Sequence, residues 1–316
     1  MNFKDKLFQD YEVMLKFRRS AGYSTGSDEL YIPSFISFCG EHYPDAGHIT
    51  REMVSEWIAS YSFRRKGTQS NAVGIIRHFT SFLNSTGNKA YIPDDDFGLQ
   101  REQYTPYIYN DYEIRVLFDA IDSTPSTLSC PNRAAIVPVL FRMMYCCGMR
   151  PGEPIRLKTS DVDLRTGDIY IRQSKRSKDR HIIMADDLRD LCIRYDRLSG
   201  DREWFFQKAD GMPFSSSWTL SQFNSAWQRS RLKGRHKPRP YDFRHCFATR
   251  NIMNWVDAGK DIMGLLPYLS AYMGHTKFSH TLYYVHLLPD RLRKSANIDW
   301  DQFRPIYGEE ACNEED

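Results

Sequence analysis

Apolar residues recur at helical spacing through the first eighty positions. Phe3, Leu7, Phe8, Tyr11, Met14 and Leu15 fall on one stripe, which predicts a packed helix over residues 3–19. Leu30, Phe35 and Phe38 follow a start signal at Ser24–Thr25, and Pro33 among them predicts a kink or a helix in two pieces. Thr50 can cap a third helix with Met53, Val54, Trp57, Ile58 and Tyr61 inward; Thr68 can open a fourth with Ile75, Ile76, Phe79, Phe82 and Leu83. Residues 1–87 therefore read as a small helical bundle. Residues 88–107, with glycine, proline and the run Asp94-Asp95-Asp96, have no period and read as a linker.

Beyond the linker the pattern changes twice. Asn110 and Glu113 make a capping-box pair ahead of Ile114, Leu117, Phe118 and Ile121, and residues 133–147 form an apolar helix interrupted by Pro138. From Asp168 the period drops to two: I-Y-I-R-Q, the basic turn S-K-R-S-K-D, then R-H-I-I-M, a hairpin with Lys175 near its tip. Trp204 to Phe206 is placed as a further strand. Ser221 to Arg231 returns to helix. The fold class expected is mainly α with a small antiparallel sheet (α+β).

Composition narrows the partners. The 316 residues, 41% apolar and 14% aromatic, can bury the cores of two domains. No run is long and apolar enough for a membrane span, and charges interrupt the N-terminus where a secretory signal needs apolar residues, so a cytoplasmic protein is expected. Seven cysteines without a C-x-x-C pair suggest reduced thiols, with neither a disulfide framework nor a metal site. The net charge of +3 hides an asymmetry: residues 1–100 carry 11 Lys and Arg against 12 Asp and Glu, and residues 141–250 carry 23 against 13. A basic middle suits a polyanion such as nucleic acid, and a solvated charged face is the other reading. Arg64, Arg65 and Lys66 at a helix start offer a phosphate position, or simply a solvated loop.

The candidate chemistry lies in four motifs: C-G-M-R-P-G-E-P around Arg150, Y-D-F-R-H at residues 241–245, M-G-H ending at His275, and the pair Tyr283–Tyr284. Their order and spacing resemble the catalytic domain of the tyrosine recombinase (phage integrase) family, of two-domain Xer-like or mobile-element type. The preceding bundle resembles that family's core-binding domain. The resemblance implies a catalytic domain over 108–298 and an acidic tail over 299–316. It implies Arg150 and Arg244 as the catalytic arginines, Lys175 as the hairpin lysine with Lys178 as its substitute, and His275. Tyr284, nine residues beyond His275, becomes the nucleophile in preference to Tyr283, which is expected to pack inward. Tyr241 stands at a catalytic position usually held by histidine. Glu153 is expected to brace Arg150, and His245 to support Arg244; Arg64, Arg65, Lys66, Arg176 and Lys178 are candidate DNA contacts.

By the same resemblance the partner is double-stranded DNA, held by a homotetramer on two DNA sites, with room for an accessory recombinase and with no cofactor, metal or membrane. Apolar residues after Pro289, such as Leu292, Trp300 and Phe303, make the C-terminal segment a candidate arm onto a neighbouring protomer. The expected activity is site-specific recombination through a 3′-phosphotyrosyl intermediate, serving integration or excision of a mobile element. The alternatives are a catalytically weak architectural partner of another recombinase and a topoisomerase that only relaxes supercoils.

The residue types suit that chemistry independently of the name. A phosphodiester under attack gathers negative charge on its nonbridging oxygens, which two guanidiniums can hold bidentately. A tyrosine of pKa about 10 lies roughly 3 units, or about 4 kcal/mol, from ionising at neutral pH, so cations or a proton acceptor must assist it. Lysine can supply the proton to a leaving 5′ oxygen. Tyr241 cannot act as a base near neutrality as an imidazole can, although it can donate a hydrogen bond.

Overall fold

Four helices fill the first part of the chain: α1 (Phe3–Ser20), α2 (Gly26–His42), α3 (Arg51–Ser60) and α4 (Lys66–Ser85). The structure is a computed structural model in which residues 2–60, 66–94, 97, 104–174, 178–234 and 236–286 are described. The expected stripe on α1 packs as read, with Phe3, Leu7, Tyr11 and Met14 buried and Phe8 and Leu15 partly so. On α2 the expectation needs correction. The helix runs unbroken through Pro33, its buried face is Tyr31, Ile32, Phe35, Ile36 and Cys39, and Leu30 is exposed. Proline inside a helix costs about 3 kcal/mol. Full burial of Ile32, Phe35 and Ile36 is worth about 1.5–3 kcal/mol each, so packing outweighs the lost backbone bond. The fourth helix opens at Lys66, two residues earlier than expected.

The chain divides into two compact units, Met1–Tyr104 and Thr105–Asp316. The second begins with the capping box read from sequence: Asn110 Oδ1 accepts from Glu113 N at 2.8 Å, and Glu113 Oε2 accepts from Asn110 N at 3.0 Å. It opens α5 (Asp111–Asp122), and α6 (Arg133–Cys147) follows, also continuous through its proline because Ile136, Val137, Val139 and Leu140 around Pro138 are all buried.

Three antiparallel strands follow, β1 (Val162–Asp163), β2 (Asp168–Ser174) and β3 (Lys178–Ile183), in the order β1-β2-β3. Ile169 pairs with Ile182 and Ile171 with Arg180, so the isoleucines at 169, 171 and 182 face the core. Trp204 forms a single bridge to Lys158 and adds no strand to this sheet, contrary to expectation. The helix α7 (Asp186–Ser199) was not read from sequence, although Leu188, Cys192 and Tyr195 mark its buried face. The remaining helices are α8 (Ser216–Ser230), which starts five residues before the reading, α9 (Asp242–Asp257), α10 (Ile262–Met273) and α11 (Ser279–His286). The observed class is mainly α with a small antiparallel sheet, as expected. No described helix is long and apolar enough to cross a membrane.

Candidate active site

Two left-handed glycines set the geometry. Gly148 (φ 59°) ends α6 and Gly274 (φ 66°) ends α10, and a Cβ on Gly148 would meet the Phe247 ring at 2.5 Å. Each turn leaves carbonyls that the helix cannot satisfy, at the negative end of a helix dipole, where guanidiniums are favoured. Arg244, on the first turn of α9 and fully buried, donates from Nη1 to Gly148 O at 2.7 Å and from Nη2 to Met273 O at 2.6 Å. Arg150, two residues past Gly148, donates from Nη2 to Gly274 O at 3.1 Å. The ends of α6 and α10 thus gather both arginines, which lie 94 residues apart in sequence.

Glu153 fixes the first arginine. Its carboxylate accepts from Arg150 N at 2.8 Å and from Arg150 Nη1 at 3.1 Å, and also takes both terminal nitrogens of Arg180 at 2.8 Å each. Burial alone would raise this carboxyl, but the Arg180 hydrogen bonds and the charges of Arg180, Arg244 and Arg150 prevail and bring it down to about 2. It is an anion at any working pH.

His275 follows Gly274 directly, and its backbone N–H caps α10 by donating to Ser270 O at 3.0 Å. Its Nδ1 shares a 2.7 Å hydrogen bond with the hydroxyl of Thr281, a fully buried residue on α11. Burial first, then the charges of Arg244, Arg150, His280 and Arg180, push the imidazole down to about 2, so the ring is neutral. The Tyr284 ring stacks on it, centroids 5.9 Å apart at 22°.

The tyrosine pair is reversed relative to expectation. Tyr284 points inward, 1% exposed, in the apolar cluster with Ala248, Ile252, Leu266, Leu269 and Met273, whereas Tyr283 is only partly buried at its edge. The cause is the face of α11. Thr281, Tyr284 and Val285 are three and four positions apart, and the buried Thr281 hydroxyl bonded to His275 directs that face inward. His245 is also enclosed, among rings. No side-chain hydrogen bond joins it to Arg244 among the described residues; its ring lies between those of Tyr241 at 5.1 Å, Tyr284 at 5.6 Å and Tyr283 at 6.5 Å. Burial, then Arg244 and Arg239, lower it to about 3. Tyr241 sits at the N-cap of α9.

Lys175, Arg176, Arg64 and Arg65 lie outside the described residues, as does the segment beyond His286. Lys66 and Lys178 are described as backbone only. The site residue that sequence reading missed is Arg180. It lies on the same side of β3 as buried Ile182 and opposite Ile171, and a cation on the apolar side of a strand was the available signal.

Guanidiniums gathered beside a neutral histidine and a tyrosine, on a helical scaffold with a three-stranded sheet among the described residues, form an arrangement whose chemistry suits an anion such as phosphate. The model of the phage integrase family matches residues 109–291. A protein of Sinorhizobium fredii named as a candidate integrase/recombinase, y4rB, is 26% identical over 299 residues, covering 91% of this chain and 95% of its own length. Tyrosine recombinase XerC of Staphylococcus saprophyticus is 22% identical over 299 residues, covering 92% and 95%. Among solved structures, the XerH site-specific recombinase bound to a palindromic difH substrate superposes with a TM-score of 0.62 at 19% identity, covering 87% of this chain and 79% of that one. The chain belongs to the phage integrase family and is a tyrosine-type site-specific recombinase.

Proposed function

We propose that the chain cleaves and rejoins DNA strands through a covalent bond between the Tyr284 oxygen and a 3′ phosphate, in the integration or excision of a mobile element. The observation that carries this reading is the convergence on the 273–275 turn: Arg244 donates to Met273 O, Arg150 to Gly274 O, and the Tyr284 ring stacks on His275. Arg150 and Arg244 hold the nonbridging oxygens of the scissile phosphate. The Tyr284 oxygen attacks phosphorus while the phenolic proton passes to a nearby acceptor; His275 is the candidate once the bound phosphate offsets the guanidinium charges that lower its ring. The bond from phosphorus to the 5′ oxygen breaks, and that oxygen takes a proton from Lys175. Attack by a 5′ hydroxyl reverses these steps, so the phosphotyrosyl bond conserves the energy needed for rejoining and no nucleotide is hydrolysed.

Arg64, Arg65, Lys66, Arg176 and Lys178 are assigned to backbone phosphates, and a homotetramer on two duplex sites brings four such centres together. Tyr241 donates a hydrogen bond to a phosphate oxygen in place of the usual histidine. Mobile-element use is supported by the relative named integrase/recombinase.

The test uses duplexes recovered by repeated selection for binding to the full chain, nicked next to the cleavage point so that the released fragment diffuses away. The wild type should accumulate a covalent adduct that survives denaturation. Tyr284→Phe should bind the same duplex and form none. A wild type that binds but never forms the adduct would overturn the proposal in favour of the architectural reading.

A further inference from the structure

We infer that Arg180 is the positioning residue of the phosphate site: it holds Glu153 and the α10 turn together, so that Arg150 is presented to the phosphate in one orientation with its charge undiminished. The inference rests on the assignment of Arg150 to the scissile phosphate.

A guanidinium on the buried side of a strand is costly unless every donor is matched. Arg180, with its side chain 8% exposed, has an acceptor for each of its three nitrogens, through a bidentate fork and a backbone anchor. Nη1 and Nη2 reach the two Glu153 oxygens at 2.8 Å each, and Nε reaches Tyr272 O at 2.9 Å in the last turn of α10. Its stem packs beneath the turn that ends that helix, where a Cβ on Gly274 would lie 3.0 Å from Arg180 Cδ. One side chain thereby touches both supports of Arg150: the carboxylate that receives its Nη1 and the turn whose carbonyl receives its Nη2.

Charge gives the arrangement its consequence. With only Arg150 and Arg244 beside it, the Glu153 carboxylate would cancel one of two positive charges and leave +1 for the phosphate. Arg180 supplies the third, so the local sum is +2 (three guanidiniums, one carboxylate). The fork also engages both carboxylate oxygens, so the carboxylate that receives Arg150 N and Nη1 is itself fixed in place. Lysine cannot reproduce this, since an ammonium is a point charge without the planar fork. Arg180 is also two residues into β3, the partner of β2, so the same contacts fasten that strand pair to the arginines.

The test is single-turnover cleavage of the selected nicked duplex at saturating protein, with duplex binding measured in parallel. Arg180→Met should bind like the wild type yet cleave about 10–100-fold more slowly, the range for losing a partner that orients a site ligand. In a Glu153→Gln background the same change should cost little more, because both act on one contact. The variant's cleavage should also gain an inflection below neutrality that the wild type lacks, since Glu153 loses the group that chiefly keeps it ionised. Wild-type rates, strictly additive losses, or binding lost in step with cleavage would overturn the inference. Should Arg180→Met not fold, Arg180→Lys gives the same reading, with a smaller rate loss at unchanged binding expected and a wild-type rate contradicting it. The Tyr284→Phe control separates the two proposals. An adduct abolished by that control but indifferent to Arg180 removes this inference alone, and no adduct in the wild type removes the reading of the site.

Discussion

The two compact units solve the problem of an interior in different ways. The bundle is filled with hydrocarbon and rings: Phe35 meets Trp57 edge-on at 5.3 Å, Phe79 lies against Tyr11 at 6.5 Å, and its buried ion pair, Arg18 with Asp28 at 2.8 Å, keeps the arginine 21% exposed. The larger unit has a comparable apolar core but also encloses Arg244, Glu153 and Arg180. Its charges are held by helix-end carbonyls and by one another, so they stay fixed before any phosphate arrives. Preorganised donors of that kind stabilise developing charge without reorganisation. On the proposed function, one interior serves folding, and the other serves folding together with chemistry.

Mutations should separate these duties. Phe35→Ala in the bundle should lower unfolding free energy by about 3–5 kcal/mol, read by urea denaturation, and leave the single-turnover rate at saturating protein unchanged at a temperature where the variant is folded. A slower rate would join the two interiors functionally and break the comparison. Arg150→Ala should do the opposite. Arg180 still neutralises Glu153 when Arg150 is cut back, so stability should fall less than in Phe35→Ala while cleavage drops about 10²–10³-fold, or about 2.7–4 kcal/mol.

Acidification sharpens the difference further. His245 and His275 are neutral in the fold, with pKa values near 3 and 2 instead of the ordinary 6.5. A lowered histidine contributes stability that is complete above the unfolded pKa and is lost as pH falls below it, at about 1.4 kcal/mol per pH unit for each ring. Glu153, lowered to about 2, adds a loss that begins only below its unfolded value of 4.5. The urea midpoint should therefore decline from pH 6.5 downward, and His245→Gln should flatten that slope; an unchanged slope would mean that the ring is not buried neutral. The smallest effect is the cap. Asn110→Ala removes the 2.8 Å bond to Glu113 N and should cost about 1 kcal/mol with no effect on rate.

Most helices of both units could be read from spacing, since stripes such as Phe3-Leu7-Tyr11-Met14 and the Asn110–Glu113 box are local signals. What failed was non-local. Pro33 and Pro138 suggested breaks because the cost of proline is visible in sequence, whereas the packing that overrides it comes from other helices. Trp204 lies beside Lys158 through one bridge, and no period of two could distinguish that from a strand. Motif order singles out Arg150, Arg244, His275 and Tyr284 as candidates, and the structure brings all four to the turn at residues 273–275. Arg180 was passed over because a basic hairpin suggests a solvated face, and only the register opposite Ile171 reveals that this arginine turns inward. The Tyr283–Tyr284 orientation depended on the Thr281–His275 hydrogen bond, which joins two segments across a glycine turn.

The most direct measurement is to digest the covalent DNA adduct of the full chain and locate the nucleotide on the peptide by fragmentation mass spectrometry. Attachment to the Tyr284 oxygen is the predicted result. A nucleotide on Tyr283 or Tyr241 would contradict the assignment, which rests on the Tyr284 ring stacked on His275 at the turn that accepts from both arginines.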